Sequence, residues 1–276
     1  MTEQEETGAA VRRARLARGL SLRALAGQLG VSPATLSAVE NGRTPLSVPR
    51  LQRIAELLEV TPGQLLRAEL PVAPAPVDPA PSDWRSFANL DLGPLLEAAT
   101  RLFVRQGFHS TSIREIAAEV GLSVAGVYHH YPSKERIMAR LMDTTMAEIR
   151  WRLIAARDDG ETAAERFALM VESLALFHVV RGDLAFLGAS EMRGLTGKNL
   201  ARSTHQRAEV QHMLDEQAEL AIADGDFTTP EPRTAARAIA TMCTSLPSWF
   251  RTDGPITPGQ VARSYATYAV AMMRSG

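Results

Sequence analysis

One cysteine among 276 residues is the first scarcity, and aromatic residues make up only 5%. Cys243 alone excludes an internal disulfide and a cysteine-rich metal site. No apolar run approaches the roughly 18 residues that a membrane helix needs. The opening MTEQEETGAA is acidic, unlike the basic start of a secretory signal. A cytoplasmic protein with no membrane association is expected. Enzyme signatures are missing too: there is no phosphate loop, no GxSxG, no HExxH and no carboxylate pair in a distinctive setting. Neither catalysis nor a cofactor is expected.

Charge of one sign is also lacking, with a formal net charge of −1. That balance argues against a nucleic-acid partner until it is divided along the chain. Residues 10–70 carry nine arginines against four glutamates, a surplus of +5. Residues 84–150 stand at +1 and residues 151–276 at −2. A phosphate backbone responds to the local excess, not the total.

What the chain does have is helical punctuation. Its length suits two domains, and 45% hydrophobic content supplies a core. Apolar positions recur at three and four, closed by glycines, and the reading is all-α throughout. Four segments follow: a helix-turn-helix (HTH) unit at 10–70, a proline-rich linker at 71–83, a second HTH unit at 84–135 and a helical domain at 136–276. In the first, helices are expected over Ala10–Arg18, from Ser21 to Gly30, from Ser32-Pro33 to Asn41-Gly42, and over Pro49–Leu58 and Pro62–Leu66. Leu36 and Val39 face inward while Ala34, Thr35 and Ser37 point out. The linker PVAPAPVDPAPSD favours extended polyproline II. It reaches roughly 40 Å, about one turn of B-DNA, which suits either an arm to an adjacent groove or a passive spacer.

The segment LAGQLGVSPATLSAVENGR with IAELLEVTPGQLL resembles the lambda-repressor/Cro-like HTH family, also called the xenobiotic-response-element family. That resemblance puts Ser32, Ala34, Thr35 and Ser37 at base edges and Arg23, Asn41 and Arg43 at phosphates. Leu22-Arg23 stands where many members have glutamine, so a glutamine-to-adenine contact is lost. A helical domain kept for protein contact is the alternative.

In Thr111–Glu135, TSIREIAAEVGLSVAGVYHHYPSKE, Thr111 or Ser112 can cap one helix, Gly121 ends it, and Ser123 caps a second of about two turns. The second is too short and too poor in apolar residues for a core element; it has the form of a reading helix. Neighbouring His129 and His130 point about 100° apart on a helix, which argues against a shared metal. The run AATRLFVRQGFHSTSIREIAAEVGLSVAGVYHHYPSKERIM resembles the TetR family of one-component repressors. By that resemblance Thr111, Ser123, Tyr128, His129 and Lys134 hold phosphates, and Val124, Ala125 and Gly126 sit at the bases. Val124 and Gly126 replace a common lysine and threonine, leaving a thymine-methyl contact and bare backbone. Weak readout there gives the N-terminal unit something to contribute.

From Ser133 on, helices are expected at about 133–156, 161–181, 183–193, 199–223, 231–250 and 258–274. The resemblance implies a ligand cavity between the middle helices and a homodimer through the last two. Met170, Leu174, Phe177, His178 and Arg181 lie along one helix; Met192, Arg193, Arg202, Arg207, Met242, Trp249 and Phe250 come from the others. Core packing is the first explanation of each apolar member taken alone, and a hydrogen-bonded core role, ahead of ligand contact, is that of His178. Arg193, Arg202 and Arg207 suit either an acidic ligand or a solvated face. The pattern EMRGL…R…HQR with LPSWFRTDGPITPGQVARSYATYAV is similar to TetR-type regulators that sense CoA thioesters. The expected function is a ligand-responsive regulator, a repressor on a palindromic double-stranded DNA operator. The alternative is an architectural protein bridging DNA without a small-molecule effector.

Overall fold

A computed structural model describes residues 3–18, 20–44, 46–58, 60–66 and 83–275. All but the last residue of the expected linker falls outside them. Along the chain run α1 (Glu3–Ala17), α2 (Leu22–Leu29), α3 (Pro33–Glu40), α4 (Val48–Leu58), α5 (Pro62–Leu66), α6 (Gly93–Gln106) and α7 (Ile113–Glu119). Then come α8 (Val124–His130), α9 (Lys134–Asp158), α10 (Ala163–Val180), α11 (Gly182–Ser190), α12 (Gly197–Ala223), α13 (Pro232–Ser245) and α14 (Pro258–Arg274). The fold is all-α, and the described residues contain no strand. None of these helices is long and apolar enough to cross a membrane.

Two compact units divide the chain: one joins the described N-terminal residues to Leu122–Ser133, the other takes Asp83–Gly121 with Lys134 onward. In the first, Ala10, Val11 and Ala14 of α1 pack with Leu25, Leu36, Leu51, Ile54, Leu58 and Leu65. The first helix begins seven residues before the expected Ala10, because its start EQEET continues the helix-forming run. Arg15, which reads as part of a basic surface, is buried against Glu40, with Nε donating at 2.6 Å and Nη2 at 2.9 Å. That pair removes one charge of each sign, so the local basic surplus survives.

In the second unit α10 is the central helix, in contact with α9, α12, α13 and α14. Thr162 and Glu165 form its capping box, and residues from Phe167 to Val179 are almost continuously buried. A helix hydrophobic all round belongs in the middle of a bundle. The stretch before α6 is strapped onto this bundle. Trp84 is buried with Nε1 donating to Asp159 at 2.6 Å, and Arg152 Nη1 donates to the carbonyls of Trp84 (2.6 Å) and Ser86 (2.9 Å). Glu148 joins Arg152 to Arg181, whose Nη2 donates to the Ala88 carbonyl at 2.7 Å.

Two helices end earlier than their apolar pattern suggests. The one expected to reach 193 stops at Ser190, followed by a 3₁₀ turn over Met192–Gly194. The one expected to reach 250 stops at Ser245, where Pro247 lies in a second 3₁₀ turn. Proline has no N–H to continue an α-helix.

Candidate DNA-reading and effector sites

Both candidate reading helices are built by the same local device. Ser32 caps α3, accepting from the Thr35 N–H at 3.1 Å, and Ser123 caps α8, accepting from the Gly126 N–H at 3.0 Å. An N-cap oxygen satisfies one of the orphan donors of the first turn and fixes where the helix begins. On α3, Leu36 and Val39 are buried, Ser32 and Ala34 are exposed, and Thr35 and Ser37 are half-buried. Arg23, Asn41 and Arg43 are exposed; Asn41 Nδ2 donates to the Ser37 carbonyl at 2.8 Å. On α8, Ser123, Val124, Ala125 and Tyr128 are exposed and Gly126 is half-buried. His129 instead packs on α5: a Cβ placed on Gly63 would lie 2.6 Å from its ring.

Thr111 and Lys134 are turned inward. Thr111 is 1% exposed, its hydroxyl donating to the Gly107 carbonyl at 2.8 Å. Lys134 Nζ donates to the carbonyls of Thr111 (2.5 Å), Phe108 (2.6 Å) and His109 (3.2 Å), and lies over the Phe108 ring. Burial lowers its pKa. Both residues hold the loop between α6 and α7 in its path.

In the helical domain, α9, α10, α11, α12 and α13 line a half-open cavity of about 470 Å³. Met146, Ile149, Leu174, Ala185 and Val210 supply apolar wall; Thr145, Thr204, Gln211, Thr241 and Thr244 supply polar groups. Arg207, Arg237, His212 and Asp215 add charge or titratable groups. An apolar body with a few placed polar groups is the usual form of a small-molecule site. Arg207 is fixed by donating to the Gly188 carbonyl at 2.5 Å, and Gln211 by donating to Asp215 at 2.7 Å.

His178 lines this cavity and also a more open cleft of about 1070 Å³ bounded by α6, α11 and Phe250–Asp253. Its Nδ1 lies 2.7 Å from the Leu174 carbonyl. Burial drives its pKa down to about 4, and Arg207 adds to the effect against the hydrogen bond to Leu174. The ring is therefore neutral at pH 7. A carbonyl only accepts, so Nδ1 carries the proton and Nε2 keeps a lone pair.

The cavity gathers Leu174, His178, Met192 and Arg207; the cleft takes His178, Arg181 and Phe250. Met170 and Phe177 lie wholly in the core, and Met242 packs at its margin. Arg193 and Trp249 are exposed, while Arg202 makes a two-point ion pair with Asp143 at 2.9 Å for each bond. Sequence reasoning named Arg207 but missed Thr145, Met146 and Ile149 on α9 and Thr204, Gln211, Thr241 and Thr244 of α12 and α13. A signal existed on α12, where Thr204, Arg207, Gln211 and Asp215 repeat at three and four on one face.

The joint after α11 touches both the cavity and the loop that precedes α7. Met192 lines the cavity. Two residues later, a Cβ on Gly194 would lie 2.5 Å from the Phe108 ring. Glu191 accepts from the Phe108 N–H at 3.3 Å. Beyond it, Thr196 N–H donates to Glu135 of α9 at 2.9 Å.

Comparison with known proteins gives three family matches along the chain. Residues 95–141 match bacterial regulatory proteins of the tetR family, residues 160–273 the tetracyclin repressor-like C-terminal domain, and residues 11–65 a helix-turn-helix. The HTH-type transcriptional repressor KstR2 of Rhodococcus jostii is 23% identical over 192 residues, 68% of this chain and 93% of that protein. A bacterial regulatory protein in the tetR family from Rhodococcus RHA1 superposes with a TM-score of 0.62 at 25% identity, over 65% of this chain and 95% of its own. AibR, solved in complex with isovaleryl coenzyme A and operator DNA, gives a TM-score of 0.57 at 26% identity, over 65% and 96% of the two chains.

Proposed function

Because this chain belongs to the TetR family of transcriptional regulators, with a further helix-turn-helix domain at its N-terminus, we propose that it is a ligand-responsive repressor that leaves its operator when a small acyl-CoA-type effector binds. The observation that carries this reading is the cavity of about 470 Å³ whose wall includes Met192, beside the joint that holds Phe108. An acyl group suits the wall of Met146, Ile149, Leu174 and Val210, and the phosphates of a CoA moiety suit the guanidinium groups of Arg207 and Arg237. Operator-bound AibR with its isovaleryl-CoA supports the effector class by analogy.

Operator contact falls to the exposed faces of α3 and α8, in a homodimer that presents each twice on a palindromic site. Tyr268 of α14, 60% exposed, supports a self-complementary face there. An effector shifts such a regulator only by binding one of its conformations better than the other. The joint over Gly194 is where that difference reaches the loop before α7.

Selection of genomic fragments by the full-length protein, then footprinting at fixed salt, identifies the operator. Titration with short- and medium-chain acyl-CoAs is expected to release it. If the protein protects DNA and no acyl-CoA weakens the footprint, the effector class is wrong, and DNA bridging without a ligand becomes the better account.

A further inference from the structure

The neutral ring of His178 gives the cavity wall a polar group of fixed sense. The residue is 4% exposed, and Nδ1 is committed to the Leu174 carbonyl at 2.7 Å. Among the described residues Nε2 has no hydrogen-bond partner, and the ring lines the cavity on the same helix face as Leu174. Nε2 is thus open to whatever fills the cavity, and a ligand that displaces water from it without supplying a donor leaves it unpaired at a cost in free energy. Rotation of the ring offers no escape, because a flip would take the donor away from the Leu174 carbonyl. Arg207 faces the same cavity and gives one of its N–H groups to the Gly188 carbonyl, and none of its hydrogen bonds goes to His178.

From this we infer that His178 is a specificity residue for the effector: it accepts a hydrogen bond from a hydroxyl or N–H on the ligand's otherwise apolar body. The inference rests on the reading of this cavity as the effector site. It sharpens the ligand class, because a thioester carbonyl is an acceptor and cannot pair with Nε2. An acyl-CoA that satisfies His178 does so through a hydroxyl on its acyl chain or an amide N–H of its pantetheine arm. A fully deoxygenated hydrocarbon leaves the nitrogen bare.

The test uses full-length protein and one matched pair of probes, 1-naphthol and naphthalene, titrated by fluorescence. A greasy cavity without an acceptor prefers naphthalene, the more hydrophobic of the two. The inference predicts the reverse: naphthol binds at least about tenfold more tightly, as expected where a site's buried polar group is otherwise left unpaired. In His178→Phe that preference disappears or inverts, and in His178→Gln, which keeps an acceptor oxygen, it is retained in part. Should His178→Phe fail to fold, His178→Leu is read in its place. Equal binding of the pair to the native protein, or a hydroxyl preference that survives loss of the imidazole, overturns the inference while leaving the cavity an effector site. Failure of both probes, and of acyl-CoAs, to bind at all overturns the effector-site reading and this inference with it.

Discussion

Lys134 and His178 show how much a single residue's role depends on partners distant in sequence. The Lys134 ammonium points its donors at the carbonyls of Phe108, His109 and Thr111. Lys134→Met should cost about 1–3 kcal/mol by stranding those acceptors, read as a lower Tm. The salt dependence of DNA binding should keep its slope; a slope smaller by about one would put the ammonium on a phosphate instead. His178 gives a pH prediction. Its pKa is about 4 in the fold against an ordinary 6.5, so the unfolded chain binds the extra proton between those values. The native state therefore loses stability as pH falls from 6.5 through 4, and keeps its full share above 6.5. The loss amounts to about 3 kcal/mol at most. Urea unfolding of the native protein and His178→Gln at pH 7.5 and 5 should show the gap between them narrowing at the lower pH or reversing. A constant gap would mean that the imidazole does not titrate between the two states.

Helix ends were the part of the fold most legible in sequence, because caps and closing glycines act within four residues. Ser112 caps α7 in a capping box with Glu115, and Gly30, Gly107 and Gly121 follow their helices with φ of 68°, 84° and 68°. Only glycine takes that left-handed region cheaply, so its place after the last periodic residue is a signal. Ser112→Ala should cost about 1 kcal/mol in thermal or urea unfolding. The 3₁₀ turn at Met192–Gly194 left no such trace, since its close packing is against Phe108, more than 80 residues earlier. Gly194→Val puts a side chain into that ring. It should weaken operator binding while ligand binding in the cavity changes little; unchanged operator affinity would mean that the joint does not govern the loop before α7.

At the scale of the whole molecule, the three family matches follow in the order that the motifs gave, whereas the cavity wall was not legible in the sequence. Arg202, which as a sequence feature suits an acidic ligand, meets Asp143 across 59 residues. Thr145 and Ile149 on α9 become cavity lining only when α10 to α13 close around them. If both helix-turn-helix units read DNA, they divide the labour: α8 offers Val124, Ala125 and Gly126, and α3 offers hydroxyls. Deleting residues 1–70 should therefore cost sequence discrimination as well as affinity, and equal protection of the same operator at fixed salt would remove the first unit from the readers. The coupling of cavity to DNA is tested most directly by fluorescence anisotropy on the footprinted operator, with native protein and Gly188→Phe. Gly188 lines the cavity and a Cβ there meets nothing within 4 Å, so the phenyl ring fills effector space. The account predicts that saturating effector weakens the native protein's operator binding at least about fivefold. Gly188→Phe should bind the operator and ignore the effector. An effector response of equal size in both proteins would place the controlling site elsewhere and contradict the account.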